Sequence, residues 1–153
     1  MIEPKVIDAG AKRVWILGDL HFGVRANSQE WLGIQKQFFE ELFIPTLKKH
    51  VRPGDVLVQV GDTFDNRQSI NIKVLNYAVD LFERLGQILP VYVIVGNHDI
   101  WAKKSNEVSS IDSLKWIPNV QIYKDPEMLE WSGRKVLMMP WRMDSAHETE
   151  TLA

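Results

Sequence analysis

The chain contains no cysteine, no basic tail and no long apolar run. Without thiols there are no disulfides and no thiolate metal sites, which suits a reducing compartment. Without a block of Lys and Arg, composition gives no mark of a nucleic-acid binder; 18 basic residues against 20 acidic ones leave a net charge of −2. The N-terminal MIEPKVIDAG lacks the apolar core of a secretory leader, and nothing approaches the roughly 20 apolar residues of a membrane helix. A cytoplasmic protein without membrane contact is expected. Solenoid repeats and low-complexity segments are missing too, and histidine is scarce, with four in the chain.

What is present is ordinary globular material. The 153 residues are 45% hydrophobic and 25% charged, enough for one domain with a sizeable core. One pattern occurs three times: VWILGDLH at Val14–His21, VLVQVGD at Val56–Asp62 and VYVIVGNHD at Val91–Asp99. Each is a β-branched apolar run, read as a buried strand, that ends in Gly and then Asp or Asn. Between the runs lie helical patterns. The first starts at Ser28 as N-cap, with Glu30 in its first turn, and runs to about Lys49. Its expected apolar stripe is Ile34, Phe38 and Leu42, widened by Trp31, Phe39 and Phe43, and Pro45 should bend or divide it. The second, Asn71–Leu85, carries two apolar stripes covering roughly 60% of its circumference, with Gly86 as the expected C-cap. A short helix around Ser109–Trp116 follows, then short strands at Asn119–Tyr123, Met128–Trp131 and Lys135–Met139; a brief leading strand is expected in residues 1–12. Strand–helix alternation indicates an α/β layered fold, its mostly parallel core sheet flanked by helices.

In a parallel sheet, right-handed crossovers bring all the strand carboxyl ends to one edge. Asp19, His21, Asp62, Asn97 and His98 should therefore converge. Carboxylate, imidazole and amide donors together suit Mn²⁺, Fe²⁺ or Zn²⁺ better than Ca²⁺. Asp19 and His21 stand two apart, so an extended strand end would point both to one side, and Asp62 is placed to bridge two ions. Gly18, Gly61 and Gly96 would permit unusual backbone angles and close approach. Each motif alone reads as a solvated loop, a turn or a cap; three in succession at strand ends read as a metal site.

As a set, Gly18-Asp19-Leu20-His21, Gly61-Asp62-Thr63-Phe64-Asp65-Asn66-Arg67 and Gly96-Asn97-His98-Asp99 resemble the first three signature motifs of the calcineurin-like metallophosphoesterases. The resemblance covers roughly residues 13–141. His21-Phe22-Gly23, the Asp65-Asn66-Arg67 loop and Met139-Pro140-Trp141 look most like the nuclease subunits of double-strand-break repair complexes, the SbcD type and its bacteriophage counterparts. The resemblance implies Asp19 and His21 on a first ion, Asp62 bridging and Asn97 on a second. It implies His98 as the catalytic histidine, with Asp65 and Asp99 orienting neighbours. It further implies two-metal hydrolysis of DNA phosphodiesters with Mn²⁺, a homodimer through Asn71–Leu85 and Ser109–Trp116, an SMC-like ATPase partner of the SbcC type, and residence in a bacterial cell or phage-infected host. Arg25, Arg67, Lys103 and Lys104 flank the motifs as candidate phosphate contacts.

The chain departs from the family pattern in one respect. The family requires a later isolated His and a Gly-His-x-His loop, whereas only His147, in a polar tail, follows His98. The expectation is that residues 1–153 are the N-terminal part of a truncated domain whose C-terminal part is absent, weakly active or inactive alone. Two rival functions remain: a phosphoesterase for small phosphodiesters or phosphoproteins, and an inactive dimerisation or docking fragment.

Overall fold

The computed structural model describes residues 5–6, 12–101, 105 and 107–141. Its strands are β1 (Lys5–Val6), β2 (Val14–Leu17), β3 (Val56–Gln59), β4 (Val91–Ile94), β5 (Val120–Tyr123), β6 (Glu127–Trp131) and β7 (Arg134–Met138). The helices are α1 (Gln29–Gln37), α2 (Ile44–His50) and α3 (Ile72–Ile88), with a 3₁₀ turn at Ser110–Leu114. β2, β3, β4 and β5 form a four-stranded parallel sheet in that order. Each strand is one step further from β2, so the three motif loops stand side by side along one carboxyl edge. β1, β6 and β7 form a second sheet, β6 pairing in parallel with β1 and antiparallel with β7.

Alternation along the strands divides the core. One face of the parallel sheet, with Leu17, Leu57, Val91 and Val93, packs on Leu32, Phe39, Val74, Ala78 and Leu81 of the helical layer. The opposite face, with Val56, Val58, Tyr92 and Tyr123, packs on Leu129, Trp131 and Met138. Helices therefore flank one side and the small sheet covers the other. That cover stops short of edge strand β2, whose Val14 and Ile16 are exposed.

Three local expectations differ from the structure. The Ile34–Phe38–Leu42 stripe faces outward, while Leu32, Phe39, Ile44 and Leu47 are buried. At 100° per residue these are two apolar lines on opposite sides of the helix, and packing selects the second. A π-helical segment, Phe38–Phe43, carries the chain from α1 into α2 without a break and ends just before Pro45. Gly86 is not a cap. It lies buried inside α3, where a Cβ would come 2.7 Å from the Pro118 carbonyl oxygen. The helix ends instead at Leu89, held extended by Pro90. The expected Ser109–Trp116 helix shrinks to the 3₁₀ turn, capped reciprocally by Ser109 and Asp112.

The opposite end of the sheet is fastened by Asp55. Its buried carboxylate accepts bonds from Arg13 Nε and Nη2, Trp15 Nε1 and the Arg52 N–H, and Arg13 also donates to the His50 carbonyl. The Arg13 guanidinium holds the Asp55 carboxyl below its ordinary range, against the opposing effect of burial. A lowered carboxyl contributes stability above the ordinary Asp range and loses it as acid protonates the group. Asp55→Ala should therefore cost about 3 kcal/mol at neutral pH in urea unfolding, with a smaller deficit in acid.

Candidate metal centre

The site is assembled from loops that hydrogen-bond to one another. Leu20 and His21 donate their N–H groups to the Asp62 carbonyl at 3.1 and 2.9 Å, and Phe22 donates to Thr63 at 2.9 Å. The first two motif loops thus continue the parallel pairing beyond the strands. Within them, His21 and Asp62 adopt left-handed backbone angles, φ 45° and 53°. Such angles are uncommon outside glycine and mark backbone held in place by its surroundings. This corrects the expectation for Asp19 and His21. They meet through a left-handed turn, not along an extended strand, and His21 Nε2 lies 3.9 Å from Asp19 Oδ2.

His21 Nε2 is also 3.8 Å from Asp62 Oδ2. The His98 ring stands edge-on to the His21 ring, centroids 4.9 Å apart. Donor atoms of His21, Asp62 and His98 all lie within 4.8 Å of one another, a spacing one divalent ion can span. Asp62 is buried and its Oδ1 accepts the His98 N–H at 2.8 Å, which ties the second loop to the third. Asn97 sits half-buried between Gly96 and His98.

His98 Nδ1 lies 2.7 Å from the Asp65 carbonyl. A carbonyl only accepts, so Nδ1 carries the hydrogen and Nε2 is the nitrogen left to take or give a proton. Asp65 also brings its carboxylate 3.4 Å from His21 Nδ1, so it touches both imidazoles. Asp99 is fully buried. One oxygen accepts from the Thr63 and Phe64 N–H groups at 3.0 and 3.2 Å, the other from Gly96 N–H at 2.9 Å. Burial pushes its carboxyl up to about 6, opposed by those N–H donors. The expected freedom of the motif glycines holds at two positions. Gly61 has φ +105°, and Gly96 packs so tightly on Asp62 that no side chain fits; Gly18 meets nothing.

Of the candidate phosphate contacts, Arg25 is exposed and stacks 5.0 Å over the Trp31 ring, and Arg67 is half-buried. Lys103, Lys104 and His147 lie outside the described residues. Sequence reasoning passed over Gln35 and Gln59, which bond the motif loops, and the Thr63 hydroxyl, which donates to Gln59. The readable signal was Gln59, a polar residue inside the apolar run VLVQV. The segment after β7 returns to this edge, with Trp141 N–H donating to the Val95 carbonyl.

A parallel four-stranded sheet flanked by helices, with Asp, His and Asn at three strand ends, matches the metallophosphoesterase fold. The family model for calcineurin-like phosphoesterases matches residues 12–147, and the chain belongs to that family. Exonuclease subunit 1 of Enterobacteria phage T4 is 31% identical over 128 residues, covering 82% of this chain and 37% of that protein. Protein 078R of Invertebrate iridescent virus 3 is 29% identical over 132 residues, covering 84% of this chain and 35% of that one. The crystal structure of Pseudomonas putida nuclease MPE aligns with a TM-score of 0.46 at 20% identity, over 72% of this chain and 46% of that one. The chain spans about a third of the length of the curated relatives it matches. Among the described residues, no helix is long and apolar enough to cross a membrane.

Proposed function

We propose that residues 1–153 supply the first three ligand loops of a larger two-metal phosphodiesterase domain that cleaves DNA. The observation that carries this reading is the convergence of His21, Asp62 and His98 donors within 4.8 Å at the carboxyl edge of the parallel sheet. Asp19, His21 and Asp62 hold a first divalent ion, and Asp62 and Asn97 a second. The mixed oxygen and nitrogen donors favour Mn²⁺. When bound, such ions lower the pKa of coordinated water and offset charge building on the phosphate. His98 stays a proton carrier, its Nδ1–H fixed on the Asp65 carbonyl and Nε2 given to the leaving-group side. Arg25 and Arg67 contact phosphates. The DNA substrate is supported by the 31% identity to a phage exonuclease subunit.

The test separates ligand from proton carrier. The chain should bind Mn²⁺ measurably by calorimetry but turn over slowly, because the second ion keeps only Asp62 and Asn97. Asp62→Asn should abolish that binding. His98→Gln should leave Mn²⁺ affinity unchanged; a fall of about 10-fold or more would make His98 a ligand instead. Robust Mn²⁺-dependent nuclease activity from the chain alone would overturn the division of the domain.

The net charge of −2 favours a second reading, hydrolysis of small phosphodiesters on the same scaffold. Faster cleavage of bis(4-nitrophenyl) phosphate than of linear duplex would select it. Dimerisation through the helices after the second and third motifs, and work beside an SMC-like ATPase, belong to the nuclease reading. Its support is that Ile72, on α3, and Trp116, two residues after the 3₁₀ turn, are 71% and 82% exposed. Most of the remaining apolar arc of α3 packs within the chain. Ile72→Glu with Trp116→Glu should shift sedimentation from dimer to monomer.

A further inference from the structure

Gln59 is fully buried on β3 with both halves of its amide bonded. Nε2 donates to the Gly61 carbonyl at 2.5 Å and to the Gly18 carbonyl at 3.4 Å. Oε1 accepts the Gly61 N–H at 3.2 Å and the Thr63 hydroxyl at 3.1 Å. The amide therefore grips both the N–H and the C=O of Gly61, the left-handed residue directly before Asp62, and reaches the residue directly before Asp19. Its register partners, Leu17 and Val93, are apolar and buried. An apolar side chain would serve the core at this position at least as well, since a buried amide gains little over a packed hydrocarbon. What the amide adds is geometry at two loop bases.

Gln35 of α1 completes the arrangement from the other side. Its Nε2 donates to the Leu20 carbonyl at 2.6 Å, while its Oε1 is buried without a hydrogen-bond partner among the described residues. Leu20 lies between Asp19 and His21. The backbone carbonyls before and after Asp19 are thus each held by a glutamine.

We propose that Gln59 and Gln35 are positioning residues that set the angles at which Asp19, His21 and Asp62 meet a divalent ion. This rests on the metal reading above. Groups that orient ligands without touching the metal change its affinity by about 10–100-fold. Methionine keeps the length of glutamine and removes its hydrogen bonds, so Gln59→Met and Gln35→Met isolate the amides. In calorimetric Mn²⁺ titrations of the chain, each variant should bind about 10–100-fold more weakly than wild type. The electron paramagnetic resonance spectrum of the bound Mn²⁺ should change as its ligand geometry relaxes. Gln35→Lys retains a donor for the Leu20 carbonyl and should restore wild-type affinity, which assigns the loss in Gln35→Met to that hydrogen bond.

Wild-type Mn²⁺ affinity in both methionine variants overturns the inference and leaves the metal reading standing. So does weakened binding that Gln35→Lys fails to rescue. If Gln59→Met does not fold, the Gln35 pair decides. No Mn²⁺ binding by the wild-type chain overturns the metal reading, and this inference with it.

Discussion

Replacing Gly96 with alanine should abolish Mn²⁺ binding and destabilise the chain by about 3 kcal/mol or more. A Cβ at Gly96 would lie 2.2 Å from both the Asp62 N and Asp62 Oδ1. Neither can move cheaply. The Asp62 backbone is fixed by two N–H bonds to its carbonyl from Leu20 and His21, and its Oδ1 accepts the His98 N–H. The backbones of Gly61 and Gly96 are themselves close, since a Cβ built on Gly61 would fall 2.9 Å from Gly96 Cα. The two glycines lie back to back, and one added methyl displaces the Asp62 carboxylate, the proposed shared metal ligand. Gly18→Ala is the matched control, at the equivalent position of the first motif. Nothing lies within 4 Å of its Cβ, so stability should stay within about 0.5 kcal/mol. Urea unfolding with Mn²⁺ titration reads both effects; equal behaviour of the two variants would refute the packing argument.

Asp99→Ala should be of comparable severity for a different reason. The side chain ends as a buried acceptor for three backbone donors, on Gly96, Thr63 and Phe64. Truncation strands those N–H groups away from water, at about 1–3 kcal/mol for each that finds no new partner. A loss of about 3–5 kcal/mol is expected, together with loosening of the second and third motif loops, which Asp99 binds to each other. The same residue gives a pH signature. Its folded carboxyl is raised to about 6 from an ordinary 3.8. A raised carboxyl holds its proton more tightly in the fold than in the unfolded chain. Its contribution is full below the ordinary Asp range and is lost as pH rises toward 6, about 3 kcal/mol in all for the metal-free chain. Asp99→Asn, though weaker overall because its amide nitrogen meets a backbone donor, should lack that decline. A wild-type stability curve flat from about pH 4 to pH 6 would count against it.

Much of the fold was readable because its signals are short-range. An apolar run such as VYVIV has one stable use, a strand buried on both faces, and Gly after it stops the strand. Ser28 caps its helix through a bond from the Trp31 N–H, three residues on. The meeting of His21, Asp62 and His98 at one sheet edge was readable because the direction of parallel crossovers is nearly invariant. The α1 face was not readable. Leu32 and Phe39 lie opposite Ile34 and Phe38 on a helix apolar on both sides, and only the layer beneath decides which is buried. Gly86 misled for the same reason, because a glycine near a helix end is a cap unless another backbone presses on it.

By itself, then, the sequence determined the order of strands and helices and the sheet edge where His21, Asp62 and His98 meet, because each follows from local pattern plus one rule of handedness. Tertiary structure decided the rest: the second sheet over the outer face, the left-handed turns of His21 and Asp62, the back-to-back packing of Gly61 and Gly96, and the glutamines beneath the loops. Those features join residues tens of positions apart. Their energies exist only once the chain has brought the partners together, so no window of sequence contains them.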